Sequence, residues 1–156
     1  MTVKYYYEDL ALTPSNDLGT RTVSREDIIR FAREFDPQPF HVDEEAAKKS
    51  PYGGLIASGW MTCAMVMRMM CDGYLAESAS LGSPGIDNLR WLKPVRPGDT
   101  ISVLRKTLEA RKSASKPDMG IVKSLWEVSN QHGELVMTME GIGMFRCRPP
   151  SAVTPA

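Results

Sequence analysis

Between residues 58 and 75 runs an apolar segment that leaves this chain few ways to fold. Met61, Met65, Met67, Met69 and Met70, with Cys63, Ala64 and Val66, cover nearly the whole circumference of a helix. A helix that is apolar all round is buried all round. Ser58, Thr62, Arg68 and Asp72 interrupt the stretch. A membrane span needs about 20 mostly apolar residues with few charges. The segment is therefore predicted as a buried core helix, and no membrane association is expected. The rest of the chain has to wrap it.

Most of the wrapping comes from strands. After Gly82-Ser-Pro84-Gly85, residues 86–95, 100–111, 121–130 and 134–145 read as long strands. Arg96-Pro97-Gly98-Asp99 and Gln131-His132-Gly133 supply turns between them. Long strands joined by short turns make an antiparallel sheet. Ahead of the long helix, Ser24-Arg-Glu-Asp27 resembles a capping box. Ile28, Phe31, Ala32 and Phe35 then fall on one helical stripe. Pro37 disfavours helical geometry at Asp36 and ends that helix there. Asp43-Glu44-Glu45 places acids at the start of a short second helix, which Ser50-Pro51-Tyr52-Gly53-Gly54 closes. Residues 1–20 are expected to be extended or turn-like, with a loop at 13–19. The fold class is α+β, a curved antiparallel sheet around one long helix. A single domain is expected over residues 1–147 and a flexible tail over 148–156. One open sheet covers such a helix poorly, so a homodimer or higher homo-oligomer is expected.

Composition excludes several functions. The 156 residues are 42% hydrophobic and 24% charged, ordinary for a soluble domain. Nineteen basic and nineteen acidic side chains balance, without the basic excess of a nucleic-acid binder. The N-terminal residues lack an apolar stretch behind a basic flank, so no signal peptide is expected. Cys63 and Cys71 would lie roughly 12 Å apart along a helix, too far for a disulfide. No cysteines are spaced for zinc and His132 stands alone, so no metal is expected. The expected compartment is the cytoplasm.

The chemistry concentrates in two places. Asp36 and His41 share a loop stiffened by Pro37 and Pro39. Histidine titrates near neutrality and exchanges a proton readily, and a carboxylate on the same loop can share the transfer or orient a water. The bland alternative is a helix-ending Asp beside a surface His. Gly59 opens the long helix, where the first N–H groups lack intrahelical partners and carry the positive end of the dipole. A carbonyl oxygen held there is stabilised as negative charge develops on it. The alternative is a glycine that permits close packing.

The run from Phe31-Ala32 through Asp36-Pro-Gln-Pro39-Phe-His41-Val-Asp43-Glu-Glu-Ala46-Ala47, then Pro51-Tyr-Gly53-Gly54 to Ser58-Gly59, resembles the MaoC-like dehydratase family. Leu89-Arg-Trp-Leu-Lys93-Pro94-Val95-Arg96-Pro97-Gly98-Asp99-Thr100 is similar to that family's strand and turn after the central helix. The resemblance implies a hotdog fold, usually dimeric, and an (R)-specific enoyl-CoA hydratase or 3-hydroxyacyl-CoA dehydratase. By it Asp36 and His41 activate water, and the Gly59 N–H holds the thioester oxygen of an acyl-CoA. No cofactor is implied beyond the coenzyme A of the substrate. The chain departs from the family pattern at Gln38, where Asn is common, and at Ser58, where His or Pro is. These two, with Trp60 and Tyr52 flanking the site, are the substrate-binding candidates. Arg111, Lys112 and Lys116 form a basic turn that reads more simply as a solvated loop, and His132 as a turn residue. Two competing functions share the fold: an acyl-CoA thioesterase, and a non-catalytic acyl-CoA-binding subunit.

Overall fold

The computed structural model describes residues 2–152. In chain order the helices are α1 (Tyr7–Leu12), α2 (Arg25–Phe35), α3 (Pro39–Val42), α4 (Glu44–Lys48) and α5 (Gly59–Gly73). The strands are β1 (Ser15–Thr22), β2 (Ser80–Gly82), β3 (Ile86–Trp91), β4 (Thr100–Lys112), β5 (Met119–Ser129) and β6 (Leu135–Arg146). These strands pair antiparallel, in the order β1-β4-β5-β6, with β2 and β3 both pairing β6. The sheet curves around α5 in the hotdog arrangement. β5 alternates strictly between buried and half-buried residues, as a strand with one face on a core must. Val122, Trp126, Val128, Val136, Met137 and Met139 of the sheet share one core with Met61, Met65, Val66, Met69 and Met70 of α5. Filling that core is the role of most of these methionines.

The long helix departs from the expectation in one respect. Only one side of it is buried in the single chain; Trp60 is 59% and Met67 48% exposed, and Ala64, Arg68 and Asp72 are exposed with them. Arg68 and Asp72 pair with each other one turn apart, which makes that stretch of the helix a solvated face.

Two expectations for the N-terminal region are corrected. A short helix, α1, occupies residues read as extended, its start capped by the Asp9 carboxylate accepting from the Tyr6 N–H at 2.8 Å. The loop expected at 13–19 is largely strand β1, a polar edge strand with an irregular register between Asp17 and Thr20. The strand expected over 86–95 stops at Trp91, and the chain reaches Pro94 by hydrogen bonds from Leu92 and Lys93 to Val136. Arg148, expected in a loose tail, is held: its N–H donates to Glu8, its guanidinium pairs with Asp9, and it stacks 4.8 Å over the Tyr6 ring. A short 3₁₀ turn follows at Pro150–Ala152. Residues 153–156 lie outside the described residues.

Candidate active site

Local sequence sets the approach to the site. Ser24 caps α2 by accepting from the Asp27 N–H, and α2 runs to Phe35. Asp36 is its C-cap, turned out of the helical region (φ −154°, ψ 67°), which a following proline disfavours. Gln38 then caps α3, with Pro39 in the first helical position, where a missing N–H costs nothing. One turn of α3 carries His41 inward. Asp43 caps α4 by accepting from the N–H groups of Glu45 and Ala46. The returning strand-like segment is tied to this unit by Ile56 N–H to Phe40 O and to the sheet side by Ala57 N–H to Val95 O. Ser58 caps α5, its hydroxyl accepting from the Trp60 N–H.

These elements bring Asp36 and His41 together. His41 Nε2 lies 3.3 Å from Asp36 Oδ2, and the histidine is buried. His41 Nδ1 is 2.7 Å from Ile56 O. A carbonyl only accepts, so Nδ1 carries a proton and Nε2 is the nitrogen that exchanges one with the carboxylate or a substrate. Asp36 is held from both oxygens: Gln38 Nε2 donates to Oδ1 at 2.7 Å and Ser58 Oγ to Oδ2 at 2.7 Å. Desolvation is the largest single influence on this carboxyl and pushes its pKa up. The hydrogen bonds from Gln38 and Ser58, with the charge and hydrogen bond of His41, outweigh it and hold the pKa below the usual value. Asp36 thus stays ionised, with its Oδ2 beside Nε2 of His41.

The pair opens onto a cavity of about 530 Å³. Gln38, Tyr52, Gly59 and Trp60 line it too, so all but one of the residues singled out from sequence meet at one cavity; Ser58 sits just behind it, fully buried on Asp36. Tyr52 packs edge-on against Phe40 at 5.3 Å, and Phe40 edge-on against the His41 ring at 4.6 Å. The basic turn at Arg111, Lys112 and Lys116 and the turn at His132 are not part of the lining. Among the described residues no cluster of His, Cys, Asp or Glu is placed to hold a metal, and no helix is long and apolar enough to cross a membrane.

Gly59 meets its packing alternative here as well as its functional one. A methyl group placed on it would stand 2.3 Å from the indole of Trp91, so glycine is required for that ring to lie where it does. Trp91 in turn packs edge-on against Trp60 at 5.2 Å. Trp91, Phe40, Thr62 and Lys93 also line the cavity and were not singled out from sequence. Trp91 had no readable signal, because the sequence carries that strand on to residue 95 and only the structure ends it at Trp91.

The family model for the MaoC like domain matches residues 13–128 of this chain. The chain belongs to the MaoC-like dehydratase family. Among its relatives, protein YdeM of Bacillus subtilis is 36% identical over 110 residues, 70% of this chain and 76% of that one. The 3-hydroxyacyl-thioester dehydratase Z of Mycobacterium tuberculosis is 32% identical over 98 residues, 60% of this chain and 65% of the relative, just under two thirds of its length. A MaoC-like dehydratase of Rhodospirillum rubrum, known from its crystal structure, is 40% identical with a TM-score of 0.85, covering 94% of this chain and 99% of its own. As in the family resemblance, the MaoC-like chain described here has its Asp36–His41 loop ahead of the central helix and the β3 turn behind it.

Proposed function

We propose that this MaoC-like protein is a hydro-lyase that adds water reversibly to a trans-2-enoyl-CoA, giving an (R)-3-hydroxyacyl-CoA, and that it works in the cytoplasm as a homodimer or higher homo-oligomer. The observation that carries the reading is Asp36 and His41, 3.3 Å apart, facing one cavity with the free N–H end of α5. The dehydratase activity in the name of the Mycobacterium relative supports it.

In this reading the thioester carbonyl rests against the Gly59 N–H, the first of α5, which donates to no acceptor among the described residues. Negative charge gathers on that oxygen as a water oxygen bonds to the β-carbon, and the amide and the helix dipole stabilise it. The water is held between Asp36 and His41. One of its protons passes to the pair as the C–O bond forms, and the pair returns a proton to the α-carbon as the enolate collapses. Every atom of water is then in the product, and dehydration is the reverse path. Gln38 and Ser58 orient the carboxylate, and Trp60 and Tyr52 shape the acyl end of the cavity.

The test is an assay of purified protein with crotonyl-CoA and with longer and branched enoyl-CoAs, following double-bond absorbance and free thiol together. Loss of absorbance with no thiol released is the expected result. Thiol release would make the protein a thioesterase, and binding without either change a non-catalytic subunit.

A further inference from the structure

One buried cation takes no part in the site described so far. On β4, Ile101, Val103 and Arg105 alternate onto the face that packs against α5, and all three are fully buried. The register sets Arg105 beside Asn16 of β1 and Trp126 of β5, and Trp126 beside Met139 of β6. Arginine at such a core position requires a reason, since a buried cation without a counter-charge is strongly destabilising.

The neighbours of Arg105 do not neutralise it. Nη1 donates to the neutral Asn16 Oδ1 at 3.2 Å, and the guanidinium stands 5.3 Å over the ring of Tyr74. Burial pushes the Tyr74 phenol up to about 12, although Arg105 draws it the other way, so that residue stays neutral. The Tyr74 hydroxyl stands toward both Arg105 and Trp126, yet Arg105 Nε and Trp126 Nε1 are buried with no partner at hydrogen-bond geometry among the described residues. Buried donors are almost always satisfied, so two orphans on adjacent strands call for an acceptor.

Both side chains line a second cavity of about 410 Å³ between α5 and the sheet. Its other walls are mostly apolar, including Met67, Met70, Leu89 and Phe145, and no acidic residue lines it. Trp60 lines this cavity and the first one, so the two adjoin at that residue.

We propose that the second cavity binds a chain ending in a carboxylate, which accepts from Arg105 and Trp126. An apolar tube with a buried guanidinium at its wall matches that ligand: methylene groups meet the apolar wall, and the planar carboxylate meets the arginine fork. Resting on the function proposed above, the chain is the acyl tail of the thioester. The protein is then selective for ω-carboxyacyl-CoA over methyl-terminated acyl-CoA of the same length.

The experiment is titration calorimetry with saturated thioesters, which need no turnover: succinyl-, glutaryl- and adipyl-CoA against butyryl-, valeryl- and hexanoyl-CoA. At least one carboxylate-terminated member should bind about tenfold or more tighter than its partner, the scale of a charged hydrogen bond. Arg105→Met should lose that preference and bind the methyl-terminated series as before. Ligand-free, it should melt at or above the parent, because an unpaired buried charge has been replaced by an apolar side chain; an arginine kept only for packing would give a lower melting temperature. Should Arg105→Met fail to fold, Trp126→Phe removes one donor conservatively and should lower the preference. A parent protein with no preference in any pair, a preference untouched by both variants, or no binding of either series overturns the proposal. Free glutarate or adipate binding as tightly as the thioester would also overturn it, by making the ligand a free acid. If the carboxylate preference holds while no enoyl-CoA is hydrated, the hydration reading fails and the anion receptor stands.

Discussion

At the scale of single residues, the site rests on a few hydrogen bonds that can be removed one at a time. Asp36 titrates below its ordinary value of about 3.9 because its ionised form is bonded by Gln38, Ser58 and His41. A carboxyl whose folded pKa is depressed contributes stability that is full above the unfolded pKa. That stability is lost as pH falls through the folded one. Acid unfolding should therefore be steeper below about pH 4 in the parent than in Asp36→Asn, which equilibrium denaturation across that range measures. Gly59 gives a second test. Any Cβ at Gly59 meets Trp91, so the donor is tested in a Trp91→Ala background. Proline is tolerated in a first helical turn, and Gly59→Pro there should keep its circular dichroism while losing the donor and about 2.7–4 kcal/mol of transition-state stabilisation relative to Gly59→Ala in the same background. A folded Gly59→Pro, Trp91→Ala chain with the rate of Gly59→Ala, Trp91→Ala would show that the N–H is not used and assign the glycine to packing. Gly59→Ala keeps the N–H but drives a methyl into Trp91; its rate should fall, its tryptophan fluorescence should shift, and Trp91→Ala in the same chain should restore the rate if the loss is steric alone.

At the scale of elements, the sequence was most readable where local chemistry and burial agree. Ser24, Asp43 and Ser58 cap the helices that their positions announce, and β4, β5 and β6 fall within two residues of the strands read from the sequence. What could not be read depends on partners distant in the chain. β1, Ser-Asn-Asp-Leu-Gly-Thr-Arg-Thr, has no apolar alternation and becomes a strand by pairing with β4. α1 is a helix of six residues whose Tyr7 lies against Gly120 of β5, too closely for any side chain there. Of the site, Asp36, His41 and Gly59 were legible because prolines and a helix start mark them, whereas Trp91 reaches the cavity only through the curve of the sheet. Arg105 hid in plain alternation, Ile-x-Val-x-Arg, where a charge reads as an exposed strand end. Ser58 joins the two scales, since one hydroxyl caps α5 and holds Asp36. Ser58→Ala should cost about 0.5–2 kcal/mol of stability, the worth of a helix cap, and also lower turnover. Denaturant melts and steady-state rates on the same preparation check both, and an unchanged rate would remove Ser58 from the site.

At the scale of the molecule, the single chain leaves work for a second copy. Among the described residues β3 pairs only β6 and its other edge has no partner, and Ile86 and Trp91 on it are about half exposed, near the exposed Trp60 and Met67 of α5. An uncovered edge strand beside exposed apolar side chains is a site for pairing with another chain. The protein should sediment as a dimer or larger, and Ile86→Glu should shift it toward monomer or aggregate; a stable parent monomer at micromolar concentration would contradict this. The whole arrangement, capped helix, stiff loop and curved sheet, converges on the Asp36–His41 pair. The most direct measurement is the hydration rate of crotonyl-CoA by the parent, Asp36→Asn and His41→Ala, each confirmed folded and in the parent's oligomeric state. His41→Ala leaves Ile56 O without its donor and should lose about 1–3 kcal/mol of stability, so its fold is checked first. Both variants should hydrate at least about a hundredfold more slowly, the scale of lost general acid–base catalysis. A folded variant of either kind with the parent rate would contradict the account.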